Sequence, residues 1–260
     1  MINHRFEDGM FVRQRAPESP LGTLLFVHGL GESGLCFEHL LERSELSDYR
    51  LLVPDLPGYG RSPWIKDAAL SLEEQADHLA SWLDRLQTGP VMVLGHSMGG
   101  VVALLLAERH PQLVSFIIDV DGNKSPADCV FSSQAARYGL QVFAATGFDE
   151  MRETIFHRGI EDAAQRGYYV SLRLSDPRAY HRNSLDLMKI SETETMADRL
   201  ADLSVPSVYI AGVPGGVSSH SRKLLQSASV PLHDISPSGH WPFIDQREDF
   251  LSLLTELLRR

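Results

Sequence analysis

The sequence predicts an α/β protein built on a mostly parallel sheet, and three observations predict it. Short apolar runs of buried-strand type recur along the chain, at residues 23–27, 91–94, 114–120 and 207–211. Stretches of helical periodicity, such as residues 71–86 and 99–109, lie between them. Strands that alternate with helices pair in parallel, because a crossover must hold roughly a dozen residues to bring the chain back to the same edge. The 260 residues, 43% hydrophobic and 22% charged, suit one large domain or a domain carrying an insertion.

The elements follow in order. Residues 2–6 and 10–15 read as a hairpin closed by Asp8-Gly9, a dipeptide suited to a two-residue turn. The loop APESP leads into TLLFV at 23–27. A helix is expected around 36–44, a strand at 50–53 and a helix over 71–86, where Ser71 and Glu74 have the spacing of a capping box. The strand at 91–94, the helix at 99–109 and the strand at 114–120 complete the first half. From Gly122 to about Ala201 the rhythm breaks, leaving helical periodicity rich in arginines and aromatics. It resumes with a strand at 207–211, a helix at 219–226, a strand near 233–235 and a last helix over 245–259. Residues 1–121 and 202–260 are therefore expected to form the core, and 122–201 a helical cap inserted after the sixth strand. Such a cap would cover the carboxyl edge of the sheet, where open parallel sheets bind ligands.

Composition narrows the function. A formal charge of −10 disfavours nucleic acid, whose phosphates need a basic surface. No window reaches the roughly 18 apolar residues of a membrane span. The opening MINHRFEDG lacks the apolar core of a signal peptide, so a cytoplasmic protein is expected. Cys36 and Cys129 have no metal or redox spacing and are expected to be free, buried thiols. Neither a cofactor nor a metal is expected.

The chemistry centres on Gly95-His96-Ser97-Met98-Gly99, a G-x-S-x-G pentapeptide between a predicted strand and a predicted helix. Small flanking residues allow a sharp turn that lifts the Ser97 hydroxyl above the sheet, over a helix N-terminus that favours negative charge. A serine needs a base, and His240 in SPSGHWPF lies in a turn after the last predicted strand, with Trp241 beside it as a possible cleft wall. In Val27-His28-Gly29-Leu30-Gly31 a strand runs into histidine and glycine. The N–H groups of Leu30 and Met98 are the natural oxyanion donors, with His28 holding the loop by a hydrogen bond.

With HG after the third strand, DLPGYGRS at 55–62 after the fourth, GHSMGG at the turn and SGHWP near the C-terminus, the chain resembles the α/β-hydrolase fold superfamily. The match holds in order and spacing over nearly the whole length, the cap excepted. The resemblance implies a serine hydrolase working through an acyl-enzyme, with Ser97 attacking a carbonyl and His240 acting as base and then acid. It also implies an acid after the strand that follows the cap, in the form G-x-x-D, and here the sequence departs from it. No Asp or Glu occurs from Ala211 to Leu232. Asp234 lies on the next predicted strand, where it should point along the sheet. Asp121, at the tip of SFIIDVDGN, shares an edge with Ser97 and is the expected acid, as in haloalkane dehalogenases and some small esterases that the chain resembles. Asp119, deeper in the same strand, is its rival; a histidine with no carboxylate is the remaining reading.

Ser97 excludes the epoxide hydrolases and dehalogenases, which need a carboxylate as nucleophile. A small-molecule carboxylic ester, lactone or thioester is the expected substrate. Two alternatives remain: a hydrolase of carbon–carbon bonds in a ring-cleavage product, and a slow-turnover ligand receptor. Among the cap arginines (Arg137, Arg152, Arg158, Arg166, Arg173, Arg178 and Arg182), any that face inward would suit an acidic acyl group.

Overall fold

The computed structural model describes residues 1–64 and 69–259. Its eight strands are β1 (Asn3–Glu7), β2 (Met10–Arg15), β3 (Thr23–Val27), β4 (Arg50–Pro54), β5 (Val91–His96), β6 (Val114–Val120), β7 (Ser207–Pro214) and β8 (Leu232–Ser238). They form one sheet in the order β1-β2-β4-β3-β5-β6-β7-β8. β2 pairs antiparallel with both β1 and β4, and every pairing from β4 to β8 is parallel. The sheet is thus the mostly parallel one the alternation predicts, flanked by helices.

Local chemistry sets the elements. Asp8 and Gly9 have φ of 50° and 75°, the two positive values a type I′ turn requires. The helix Leu72–Leu86 starts on the capping box: Ser71 Oγ accepts the Glu74 N–H, and the Glu74 carboxylate accepts the Ser71 N–H. The helix Met98–Arg109 is buried from Met98 through Ala107, as an all-apolar helix must be. The expected helix at 36–44 is shorter, a 3₁₀ turn Gly34–Phe37 running into a single α-turn Glu38–Leu41. Phe37, Leu40 and Leu41 are all buried there, so packing against the core outweighs continuation of the helix. β8 is longer than the sequence suggests. Cys129 is buried and Cys36 partly so; both are free.

Between β6 and β7 the structure has helices and no strand. The principal ones are Val130–Ala136, Phe148–Arg158, Ala163–Leu172, Pro177–Ser191 and Met196–Ala201. Asp162 and Asp176 cap two of them through their carboxylates, and Pro177 takes the first-turn position where its missing N–H costs nothing. Phe143, Phe148 and Tyr180 are buried and pack ring to ring as the segment's own core, while buried Tyr168 packs against Trp241.

Two buried ion pairs hold the loops at the carboxyl edge. Asp55 binds Arg13 at 2.6 Å and accepts the Gly34 and Arg61 N–H groups at 2.7 and 2.8 Å. Asp119 binds Lys124 Nζ at 2.6 Å and accepts the Gly122 N–H at 3.0 Å, while Lys124 also donates to the Gly122 and Asn123 carbonyls. Removing one partner of a pair this buried leaves an uncompensated charge. Lys124→Met should therefore cost about 3–5 kcal/mol in urea unfolding, and adding Asp119→Asn should recover much of it. An unfolding midpoint unchanged by Lys124→Met would show that the pair does not hold this loop.

Candidate active site

β5 ends at His96, and Ser97 follows with φ 53° and ψ −118°, a conformation that costs energy for any L-residue with a side chain. The turn exists because its flanks are glycines. A Cβ on Gly95 would lie 2.2 Å from the Gly99 carbonyl oxygen, and one on Gly99 would lie 2.0 Å from that of Val27. The Ser97 N–H donates to the Val120 carbonyl at 2.9 Å, which keeps the turn on the β6 ladder. Ser97 is partly exposed and lines a cavity of about 20 Å³ with Leu30, Phe131, Tyr168, His240 and Trp241. That space holds roughly one water.

The end of β3 abuts the serine. A Cβ on Gly29 would lie 3.1 Å from Ser97 Cβ. Among the described residues, neither the Leu30 nor the Met98 N–H has a protein acceptor. That of Met98 belongs to the first turn of its helix, where such groups go unpaired. His28 is fully buried and bridges two loops, Nδ1 donating to the Gly29 carbonyl at 2.9 Å and Nε2 accepting the Leu56 N–H at 3.0 Å. Burial pushes its pKa down, so the neutral imidazole fills both roles.

His240 follows β8 and packs between His96 and Trp241, at ring-centroid distances of 4.8 and 5.3 Å. Burial, and then the neighbouring His96, push its pKa down to about 3, against the pull of Glu32 and Asp128. Its ring is hydrogen-bonded to no carboxylate among the described residues. Asp121 has φ 46° and continues the ladder by donating its N–H to the Ile210 carbonyl at 3.0 Å. Its buried carboxylate accepts the Gly212 N–H at 3.1 Å. Burial drives its pKa well up, with Asp119 and Asp128 adding to the rise and the Gly212 and Val217 N–H groups opposing it. A Cβ on Gly216 would lie 2.2 Å from the Asp121 carboxylate, so the loop after β7 packs its main chain directly on that group. Asp121 and His240 line one larger cavity of about 590 Å³ with Asp128, Arg158, Gly216 and Trp241. They are brought to one space without a hydrogen bond between them.

The other carboxylates are engaged elsewhere. Asp119 is bound to Lys124, and Asp234 pairs with Arg222 on the surface at 2.7 Å. Asp128 accepts from the Lys124 and Ser218 main chains and from Ser221 Oγ. Among the arginines weighed above, Arg158 shares the larger cavity with His240, while Arg152, Arg178 and Arg182 pair with Asp149, Asp176 and Asp186. The described residues include no group of three or more His, Cys, Asp or Glu able to hold a metal, and no helix long and apolar enough to cross a membrane.

Two residues that the motifs do not mark stand at the centre of the site. Glu32 is buried and accepts from Gly29 N–H, His96 Nδ1 and Trp241 Nε1 at 2.6, 2.8 and 2.5 Å. His96 Nε2 in turn faces the His240 carbonyl oxygen at 2.7 Å. The sequence motifs give Glu32 no role, and only the fold reveals its partner 64 positions away.

A family model described as the alpha/beta hydrolase fold matches residues 22–160, more than half of the chain. The magnesium-chelatase 30 kDa subunit of Rhodobacter capsulatus is 29% identical over 239 residues, 84% of this chain and 83% of that protein. A pimeloyl-[acyl-carrier protein] methyl ester esterase of Vibrio vulnificus (strain CMCP6) is 28% identical over 246 residues, 87% of this chain and 90% of that protein. Among solved structures, a malate-bound thermophilic esterase from Thermogutta terrifontis has a TM-score of 0.78 at 21% identity, covering 96% of this chain and 94% of that one. With its strand order, its serine turn and the matching family model together, the chain belongs to the α/β-hydrolase fold family.

Proposed function

We propose that the protein is a serine hydrolase of carboxylic esters, with Ser97 as nucleophile, His240 as base and Asp121 as acid. The observation that carries the reading is Ser97, held at a strained turn and facing one cavity with His240. The esterases among the relatives support the same reaction type. Ser97 Oγ attacks the ester carbonyl while His240 takes its proton. The N–H groups of Leu30 and Met98 receive the oxyanion. Collapse of the tetrahedral intermediate expels the alcohol, protonated by His240, and leaves an acyl-serine. Water, deprotonated by His240, then attacks the acyl carbon, and Ser97 leaves with its proton restored.

Asp121 completes the set electrostatically. When His240 takes the proton it becomes a cation beside His96, and a carboxylate must offset that charge. Burial pushes the unpaired imidazole down and the unpaired carboxyl up. An Asp121–His240 hydrogen bond would pull both back toward their ordinary values. We read residues 122–201 as the cap: Phe131 and Tyr168 supply its wall over Ser97, and Arg158 faces the space next to His240.

Ser97→Ala should remove hydrolysis of p-nitrophenyl acetate and butyrate by about 10⁴-fold, and Asp121→Asn by about 10²–10⁴-fold, with the folded circular dichroism spectrum kept. Full activity in Ser97→Ala would sink the reading.

A carboxyl whose pKa is raised in the fold opposes folding increasingly as pH climbs above its ordinary value of 3.8. Asp121→Asn should therefore raise the melting temperature at about pH 8, with the gain shrinking toward about pH 4. A gain that does not vary with pH would mean that Asp121 titrates as an ordinary carboxylate.

A further inference from the structure

Three loops must hold still for this site to work: the one carrying Leu30, the one carrying Ser97 and the one carrying His240. One buried carboxylate touches all three. Glu32 is 2% exposed and takes the Gly29 N–H, one residue before Leu30, at 2.6 Å. It takes His96 Nδ1, one residue before Ser97, at 2.8 Å, and Trp241 Nε1, one residue after His240, at 2.5 Å. Cys36 Sγ adds a longer contact at 3.9 Å. Every one of these neighbours is a donor, so the site is built for an anion. Burial alone would raise the Glu32 pKa, but the charge and hydrogen bond of His96, with the Trp241 and Gly29 donors, hold it at about 2.

His96 is equally enclosed, at 1% exposure. Its Nδ1 faces the Glu32 carboxylate, and its Nε2 faces the His240 main-chain oxygen at 2.7 Å. Glu32 thus reaches His240 through a single intervening ring, and Nε2 of that ring is its link to the His240 main chain.

We propose that Glu32, outside the triad, is a positioning residue: it holds the His96 ring in place so that Nε2 of His96 fixes the main chain of His240. The proposal rests on the serine-hydrolase reading above. Glu32 touches no reacting atom. It acts through His96 on the base, and through Gly29 and Trp241 on the two sides of the cleft. A pair that served only to hold the core together would change stability and leave turnover per folded molecule alone.

The test uses the full chain. On p-nitrophenyl acetate, Glu32→Gln should lower kcat by about 10²-fold, the scale of a base displaced by about 1 Å, with KM within about threefold of wild type. The double variant Glu32→Gln/His96→Gln should fall little below either single one, because the two act in series. Glu32→Gln with kcat within about threefold of wild type would overturn the proposal. If Glu32→Gln does not fold, His96→Gln decides: loss of kcat at constant KM supports the proposal, and unchanged kcat overturns it. A fluorophosphonate that fails to label Ser97 in wild type would instead sink the serine-hydrolase reading.

Discussion

Gly95 lies so close to the Gly99 carbonyl that a single added carbon would stand 2.2 Å from it, and Gly99 is pressed as tightly on the end of β3. The geometry of the site depends on these two approaches. They let the helix Met98–Arg109 begin directly after β5, with Ser97 at positive φ between them. They also bring the β3 end to the side of the serine, with a Leu30 N–H that has no protein acceptor among the described residues. Sterics among main-chain atoms thus set the serine turn against the end of β3.

Electrostatics then fixes the loops around that point. Arg13–Asp55 ties the loop after β4 to the sheet, Asp119–Lys124 closes the loop after β6, and Glu32–His96 joins the loops after β3 and β5. Buried pairs of this kind add little net stability, because desolvation offsets much of the attraction. What they supply is one geometry, since each carboxylate also accepts main-chain N–H groups and so pins backbone as well as side chain. Asp121 and His240 differ: among the described residues neither side chain forms an ion pair, and the Asp121 carboxylate is held by the Gly212 N–H.

The sheet was legible in the sequence because each buried strand is a short apolar run and each turn residue has a conformational reason, as at Asp8-Gly9. Ser97 and His240 stood out as candidates because a nucleophile and its base demand small neighbours and a turn after a strand. The proposed acid was reachable only by elimination, since a lone aspartate at a strand tip looks like any loop cap. Glu32, His96 and Lys124 were not legible. Their roles come from partners, and the sequence does not say that a loop glutamate will be enclosed by three donors from distant segments. The short helix at Gly34–Leu41 misled for a related reason: apolar spacing records which side chains are buried, not how far the helix continues.

Gly216 gives Asp121 a steric boundary. The Asp121 carboxylate fills the volume that a side chain at position 216 would need, so the tip of β6 and the loop after β7 share one compartment. Any residue larger than glycine at 216 would have to push that carboxylate aside, and with it the Gly212 N–H bond that holds it. The bare GVPGG loop is therefore the complement of Asp121, small where the end of β6 needs the room.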